Sequence, residues 1–201
     1  MKFSYASVLA ALGLAAALSA CGGKAQFVVQ GTVDNLKTGG LVLANGSDTV
    51  SVPAGATSFA FPQQISYGTT YNIVVQKQPD HMTCQVIAGN DSAGHTVTIV
   101  ANVTCAQNTY SLGGKFVGLT NAADATARTV TLLNGSTGGS LIISSTADGT
   151  GEFQFASPVA DGQAYGVTVQ TQPTGLTCTL QNATGVMQDS LVSNVVLTCA
   201  P

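Results

Sequence analysis

The chain is 201 residues long, 45% hydrophobic and only 7% charged, with a formal net charge of −3. Six Lys and Arg in all exclude the clustered cationic surface that nucleic acid needs. Ser, Thr, Gly, Asn and Gln supply the polarity instead. That composition suits short strands and turns, because Val, Thr and Ile fill pleated strands while Gly and Asn fill tight turns.

The first element is an address. Met1-Lys2 gives one positive charge, and an apolar run rich in Ala and Leu follows to Ala20. The run suits a secretory signal over residues 1–20 better than a retained membrane helix, which needs about 20 apolar residues. It ends in Leu18-Ser19-Ala20-Cys21, followed by Gly22-Gly23. This segment resembles the bacterial lipobox. The resemblance implies cleavage before Cys21 by signal peptidase II, lipidation of Cys21 with acyl chains such as palmitate, and, with Gly22 in place of Asp, sorting to the outer membrane. Each buried CH₂ contributes about 0.8 kcal/mol, so two or three chains anchor almost permanently. Residues 21–25 then form a lipidated tether.

From residue 26 the pattern is that of strands. Spans 27–33, 41–44, 49–52, 58–61 and 71–76 are predicted strands, with a further strand starting at Cys84. Asn45-Gly46 is a hairpin signal, and Pro79 stops a strand because it cannot donate to a ladder. Val97, Ile99, Ala101, Val103 and Cys105 alternate with polar or outward residues, which is period two.

After the short joint Ala106-Gln107-Asn108 the same unit begins again. Cys178 and Cys199 follow Cys84 and Cys105 at an offset of 94, as Phe153, Phe155, Gly162, Tyr165, Gln172-Pro173 and Thr177 follow Phe59, Phe61, Gly68, Tyr71, Gln78-Pro79 and Thr83. Upstream, Gly31 to Leu36 corresponds to Gly114 to Leu119, and Asn45-Gly46 to Asn134-Gly135, so the second copy is longer in its first half. Repeat one is placed at 26–106 and repeat two at 108–201. The short joint predicts little relative motion between them.

About seven strands per 80–95 residues, without helical periodicity after residue 20, predict an all-β chain of two tandem antiparallel β-sandwich domains. The run Gly-x-x-Tyr-x-[Ile/Val]-x-Val, at Gly68 to Val75 and Gly162 to Val169, follows Phe-x-Phe in both copies. It resembles immunoglobulin-like and transthyretin-like modules of exported bacterial proteins. That resemblance implies fold and says little of function. A transmembrane barrel is rejected, since its strands need 9–11 residues with an apolar outer band.

With Cys21 set aside, four cysteines permit three pairings. The duplication favours Cys84–Cys105 and Cys178–Cys199, because each copy is then self-sufficient, and an oxidising compartment suits both. The rival is a metal site of His81, Cys84, His95 and Cys105. Copy two keeps both cysteines but has Gly175 and Asp189 in place of the histidines, which separates the two residue types. No metal and no cofactor is therefore expected.

Catalytic chemistry finds few carriers. His81 and His95 are not spaced to a serine nucleophile, and G-x-S-x-G is absent. Asp148 and Glu152 flank a Gly-Thr-Gly turn. Calcium would need six to eight oxygen ligands there, so a plain turn is the better reading. Phe59, Phe61, Phe153, Phe155, Tyr71 and Tyr165 recur at matched positions, which points to core rather than a sugar platform.

The expected function is a non-enzymatic, membrane-anchored envelope lipoprotein: an adhesive, scaffolding or spacer module. Its expected partners are the membrane through the lipid, and an envelope protein or glycan. The alternative is a carbohydrate- or peptide-binding protein using loops at one end of a sandwich. A third, an envelope hydrolase, would depend on His95 or Glu152.

Overall fold

Alternating apolar and polar residues put one face of each strand in the core and the other in water. In the computed structural model, which describes residues 24–135 and 138–201, the first half of the chain forms eight strands. They are β1 (Gln26–Asp34), β2 (Leu41–Asn45), β3 (Asp48–Val52), β4 (Ser58–Ser66), β5 (Thr70–Lys77), β6 (Met82–Ile87), β7 (Asn90–Ser92) and β8 (Ile99–Gln107). Two four-stranded sheets result, in the orders β4-β1-β8-β6 and β3-β2-β5-β7. Their inner faces share a core that includes Val29, Leu43, Phe61, Ile73, Met82 and Val103.

The second half adds β9 (Thr109–Tyr110), β10 (Leu112–Val117), β11 (Thr129–Asn134), β12 (Ser140–Ser144), β13 (Gly151–Gln154), β14 (Val159–Ala160), β15 (Ala164–Thr171), β16 (Thr177–Gln181), β17 (Thr184–Val186) and β18 (Val192–Ala200). Its sheets, β13-β10-β18-β16 and β12-β11-β15-β17, repeat those of the first half strand for strand. A second core includes Leu112, Leu132, Phe155, Val167, Met187 and Leu197. The protein is an all-β sandwich, as its strand pattern predicts. The signal segment 1–20 and Cys21 lie outside the described residues. At the end of the expected tether, the Ala25 carbonyl accepts a hydrogen bond from the Tyr67 backbone N–H at 2.9 Å.

Among the described residues, the two-strand pair β9–β14 is the one sheet without a separate counterpart. Its pairs, Tyr110↔Val159 and Thr109↔Ala160, sit where Phe27↔Ile65 and Gln26↔Ser66 extend the β1–β4 ladder in unit one. There the register only shifts, between Val28 and Gln30. In unit two the same irregularity breaks the ladder, and the strands are counted separately. Pro62 sits within β4 at a sheet edge, where a missing N–H costs no ladder bond.

One pairing per unit departs from the antiparallel expectation. β1 runs parallel to β8, and β10 parallel to β18. Parallel neighbours need a connection of a dozen residues or more, and here nearly the whole unit separates the two strands. The approach is tight: a Cβ on Gly31 would overlap the Ala101 carbonyl oxygen, and one on Gly114 that of Val195. Glycine at these two places is therefore a packing requirement, which explains why it matches between copies.

Three expectations shift in detail. β7, with no apolar residue, escapes a search for hydrophobic alternation. Val97 belongs to no strand and is 96% exposed, because β8 starts at Ile99. In copy two the same alternation predicts Leu191, Ser193, Val195, Leu197 and Cys199 on the inner face, and this fails before Val195, since a bulge between the Leu112↔Val192 and Gly114↔Val195 pairs inserts an extra residue and leaves Leu191 and Ser193 exposed. Part of the extra length of copy two is the 118–128 connection, where copy one has 35–40. Arg128 ties it down by donating from one guanidinium nitrogen to the Thr120 and Asn121 carbonyls, at 3.2 and 3.1 Å.

Candidate functional site

The cysteines come first because both copies keep them. Cys84 and Cys105 face each other across β6 and β8, and Cys178 and Cys199 across β16 and β18, and each pair is disulfide-bonded. Each bond clips an edge strand to its neighbour. A device the residue pattern did not reveal lies beside each. The Gln78 side-chain amide pairs with the backbone of Cys84, accepting from its N–H at 2.7 Å and donating to its C=O at 3.0 Å. Gln172 does the same for Cys178, at 2.8 and 3.0 Å. The glutamine thus supplies the ladder partner that an edge strand lacks. Its recurrence beside proline, six residues before the cysteine in both copies, is the signal in the sequence that marks it.

The histidines fall at two separate places. His81 lies in the joint between units, in the left-handed region at φ 62, where copy two has Gly175 at φ 76. Its carbonyl accepts from the Asn108 N–H at 3.0 Å and from the Gln107 amide at 2.9 Å. That same Gln107 nitrogen donates to the Asp161 carbonyl at 3.0 Å, and Asp161 N–H donates to the Asn108 carbonyl at 2.9 Å. The His81 Nδ1 is 3.1 Å from the Asp161 carboxylate, which is only 6% exposed. The joint is therefore a hydrogen-bonded clasp. A cavity of about 490 Å³ beside it is lined in part by Asp80, His81, Asp161 and Asp189.

His95 belongs to the end of unit one. Its Nδ1 lies 2.8 Å from Asp91 Oδ1, which also accepts from the Ser92 N–H at 2.7 Å. The Ser92 N–H, then the His95 imidazole, hold the Asp91 carboxyl below its usual value against a smaller opposing effect of burial. Burial and the Asp91 charge push the Tyr71 phenol up. Among the described residues no Ser or Thr hydroxyl hydrogen-bonds to either imidazole, so the hydroxyl–imidazole contact that a hydrolase triad uses is not formed. The proposed metal quartet is divided: its cysteines bond to each other and its histidines pair with different aspartates.

Asp148 acts as a turn residue. Its oxygens accept from the Thr146 hydroxyl at 2.8 Å and from the Thr150 hydroxyl at 2.8 Å, and those bonds lower its carboxyl. Glu152 stands opposite Lys115 on the neighbouring strand. The Phe59–Phe61 and Phe153–Phe155 pairs are buried edge to face, with centroids 5.9 and 6.5 Å apart. They are core, as their recurrence predicts.

An open groove of about 780 Å³ lies at the end of unit one, where the β2–β3 turn, the end of β4, the start of β5 and all of β7 meet. The turn is Gly46-Ser47, one residue later than expected, with φ 62 at Gly46. Asn45 Oδ1 braces it by accepting from the Asn72 N–H at 2.9 Å, as Asn134 Oδ1 accepts from the Gly166 N–H at 3.0 Å in copy two. On β5 and β7, Thr70 faces Ser92 and Asn72 faces Asn90. No Lys or Arg lines the groove.

No family model and no curated protein matches this chain. Among solved structures, the Bacillus anthracis TIE protein is similar, with a TM-score of 0.50 and 10% identity over 86% of this chain. The chain spans 34% of the length of that protein. The major pilin from Streptococcus pyogenes matches at a TM-score of 0.29 and 9% identity, over 88% of this chain and 98% of its own. A streptococcal ancillary pilin matches at 0.27 and 13%, over 88% and 63%. At these identities the likeness to the first concerns the fold alone, and the two pilins carry no argument.

Proposed function

We propose that the chain is an exported lipoprotein, diacylated at Cys21 and held to the outer membrane, whose two sandwiches serve as a non-enzymatic adhesive, scaffolding or spacer module. The observation that carries this reading is what the duplication keeps. Disulfide, glutamine clamp, phenylalanine pair and braced hairpin occur in both units, whereas the histidines do not. Two stapled units joined through a clasp suit holding something at a distance from a membrane. The partners in this reading are the bilayer, through the acyl chains, and an envelope protein or glycan.

Fractionation of the producing cells tests it. The wild-type chain should sediment with outer membranes and carry acyl mass on Cys21, and Cys21→Ala should abolish the acyl mass and remove the chain from the outer-membrane fraction. A wild-type chain found soluble with an unmodified cysteine overturns the anchor. Adhesion and envelope integrity unchanged on deletion of the chain, with no partner recovered by cross-linking in intact cells, overturn the adhesive and scaffolding role.

A second reading, binding of a carbohydrate or peptide through one sandwich end, is favoured by a specific observation: the polar groove of unit one.

A further inference from the structure

The two units offer an internal comparison, because β5–β7 and β15–β17 pair in the same register. Thr70↔Ser92, Tyr71↔Asp91 and Asn72↔Asn90 correspond to Ala164↔Val186, Tyr165↔Gly185 and Gly166↔Thr184. The fold therefore tolerates Ala, Val, two Gly and a Thr at these places. Unit one replaces them with Thr, Ser, two Asn and an Asp, and adds His95 where copy two has Asp189. Stability of the sandwich does not account for that choice, since unit two is built without it.

We propose that the unit-one groove binds a short, neutral oligosaccharide, read by Thr70, Asn72, Asn90 and Ser92. The inference rests on the binding reading above and names its ligand class. The pleat explains the arrangement: residues two apart on a strand share a face, and directly opposed residues of paired strands lie side by side. Thr70, Asn72, Asn90 and Ser92 therefore form a tile of hydroxyls and amides, groups that both donate and accept. Such a set matches vicinal sugar hydroxyls, which also do both.

The charge pattern narrows the class. The groove holds one carboxylate and no cation, so it disfavours phosphates, sulfates and acidic sugars. Asp91 pairs with the buried Tyr71 and so projects to the opposite face from the tile, where the Ser92 N–H and His95 hold its Oδ1.

Titration of the ¹⁵N-labelled full chain in detergent with chitohexaose, cellohexaose and maltohexaose tests the proposal. At least one should shift the Asn72 and Asn90 side-chain amides and the Asp91 backbone amide saturably, leaving Thr168 and Thr184 of unit two unmoved. Asn72→Gly combined with Asn90→Thr installs the residues of copy two and should weaken binding by about tenfold or more. Unperturbed β1 and β8 resonances establish that the variant is folded. No shift with any of the three sugars at millimolar concentration overturns the proposal, and so does equal binding by the double variant. Shifts produced by an extended Ser-Gly peptide and by no sugar overturn the ligand class. None of these outcomes bears on the Cys21 anchor, whose failure is read separately by fractionation.

Discussion

At His81 two residue-scale effects oppose each other. A left-handed conformation costs a side-chain-bearing residue roughly 1–2 kcal/mol, and copy two avoids that cost with Gly175. His81 nevertheless contributes its imidazole to a buried carboxylate at 3.1 Å. Substitution His81→Gly relieves the backbone but leaves Asp161 buried without that partner, and an unmet buried polar group costs about 1–3 kcal/mol. We expect a net loss of stability on the order of 1 kcal/mol in urea titration; a gain would show that strain outweighs the contact. Asp91 gives the pH prediction. Its folded value lies below 3.8, so the Ser92 and His95 contacts contribute fully above that value and are lost as pH falls through the lower, folded one. The Asp91 carboxyl ¹³C shift should therefore titrate with a midpoint below 3.8. Asn in place of His95 should move that midpoint upward.

At the scale of elements, the disulfides and glutamine clamps act on the same strands. β6 and β16 are edges of their sheets, hydrogen-bonded on one side to β8 and β18. Each disulfide closes a sequence separation of 21 residues, which in the chain-entropy model contributes about 3 kcal/mol. Replacing Cys84 and Cys105 by Ser should destabilise unit one by about that amount, against a total of about 5–15 kcal/mol for an ordinary domain. Unit two should keep its own transition. Calorimetry checks this: one transition displaced and one unmoved is expected, whereas joint displacement would mean that the units unfold together.

For the whole molecule the question is the clasp. Gln107 donates to carbonyls of both units, and the Asn108 backbone hydrogen-bonds to both. With that bridge the sandwiches should tumble as one body, and ¹⁵N relaxation should return a single correlation time. Gln107→Ala with Asp161→Ala removes the bridging amide and the buried carboxylate. Two shorter correlation times are expected, with both cores intact. A single unchanged value would place the rigidity in the 106–108 backbone itself. A rigid pair presents the unit-one groove in a fixed orientation, which matters for a module that holds a partner.

The sequence by itself determined the longer strands, the duplication and the disulfide pairing. Alternation of period two is a local consequence of burying one face of a strand, and an offset repeated across four cysteines leaves one pairing that serves each copy alone. What only the tertiary structure decided depends on contacts distant in sequence. The parallel β1–β8 pairing, the Gln78 and Gln172 clamps and the His81–Asp161 clasp join residues whose identities do not announce each other. The groove is the sharpest instance. β7 has no apolar residue to mark it as a strand, so nothing in the pattern placed Asn90 and Asp91 opposite Asn72 and Tyr71. Hydrogen bonding along the β5 edge put them there.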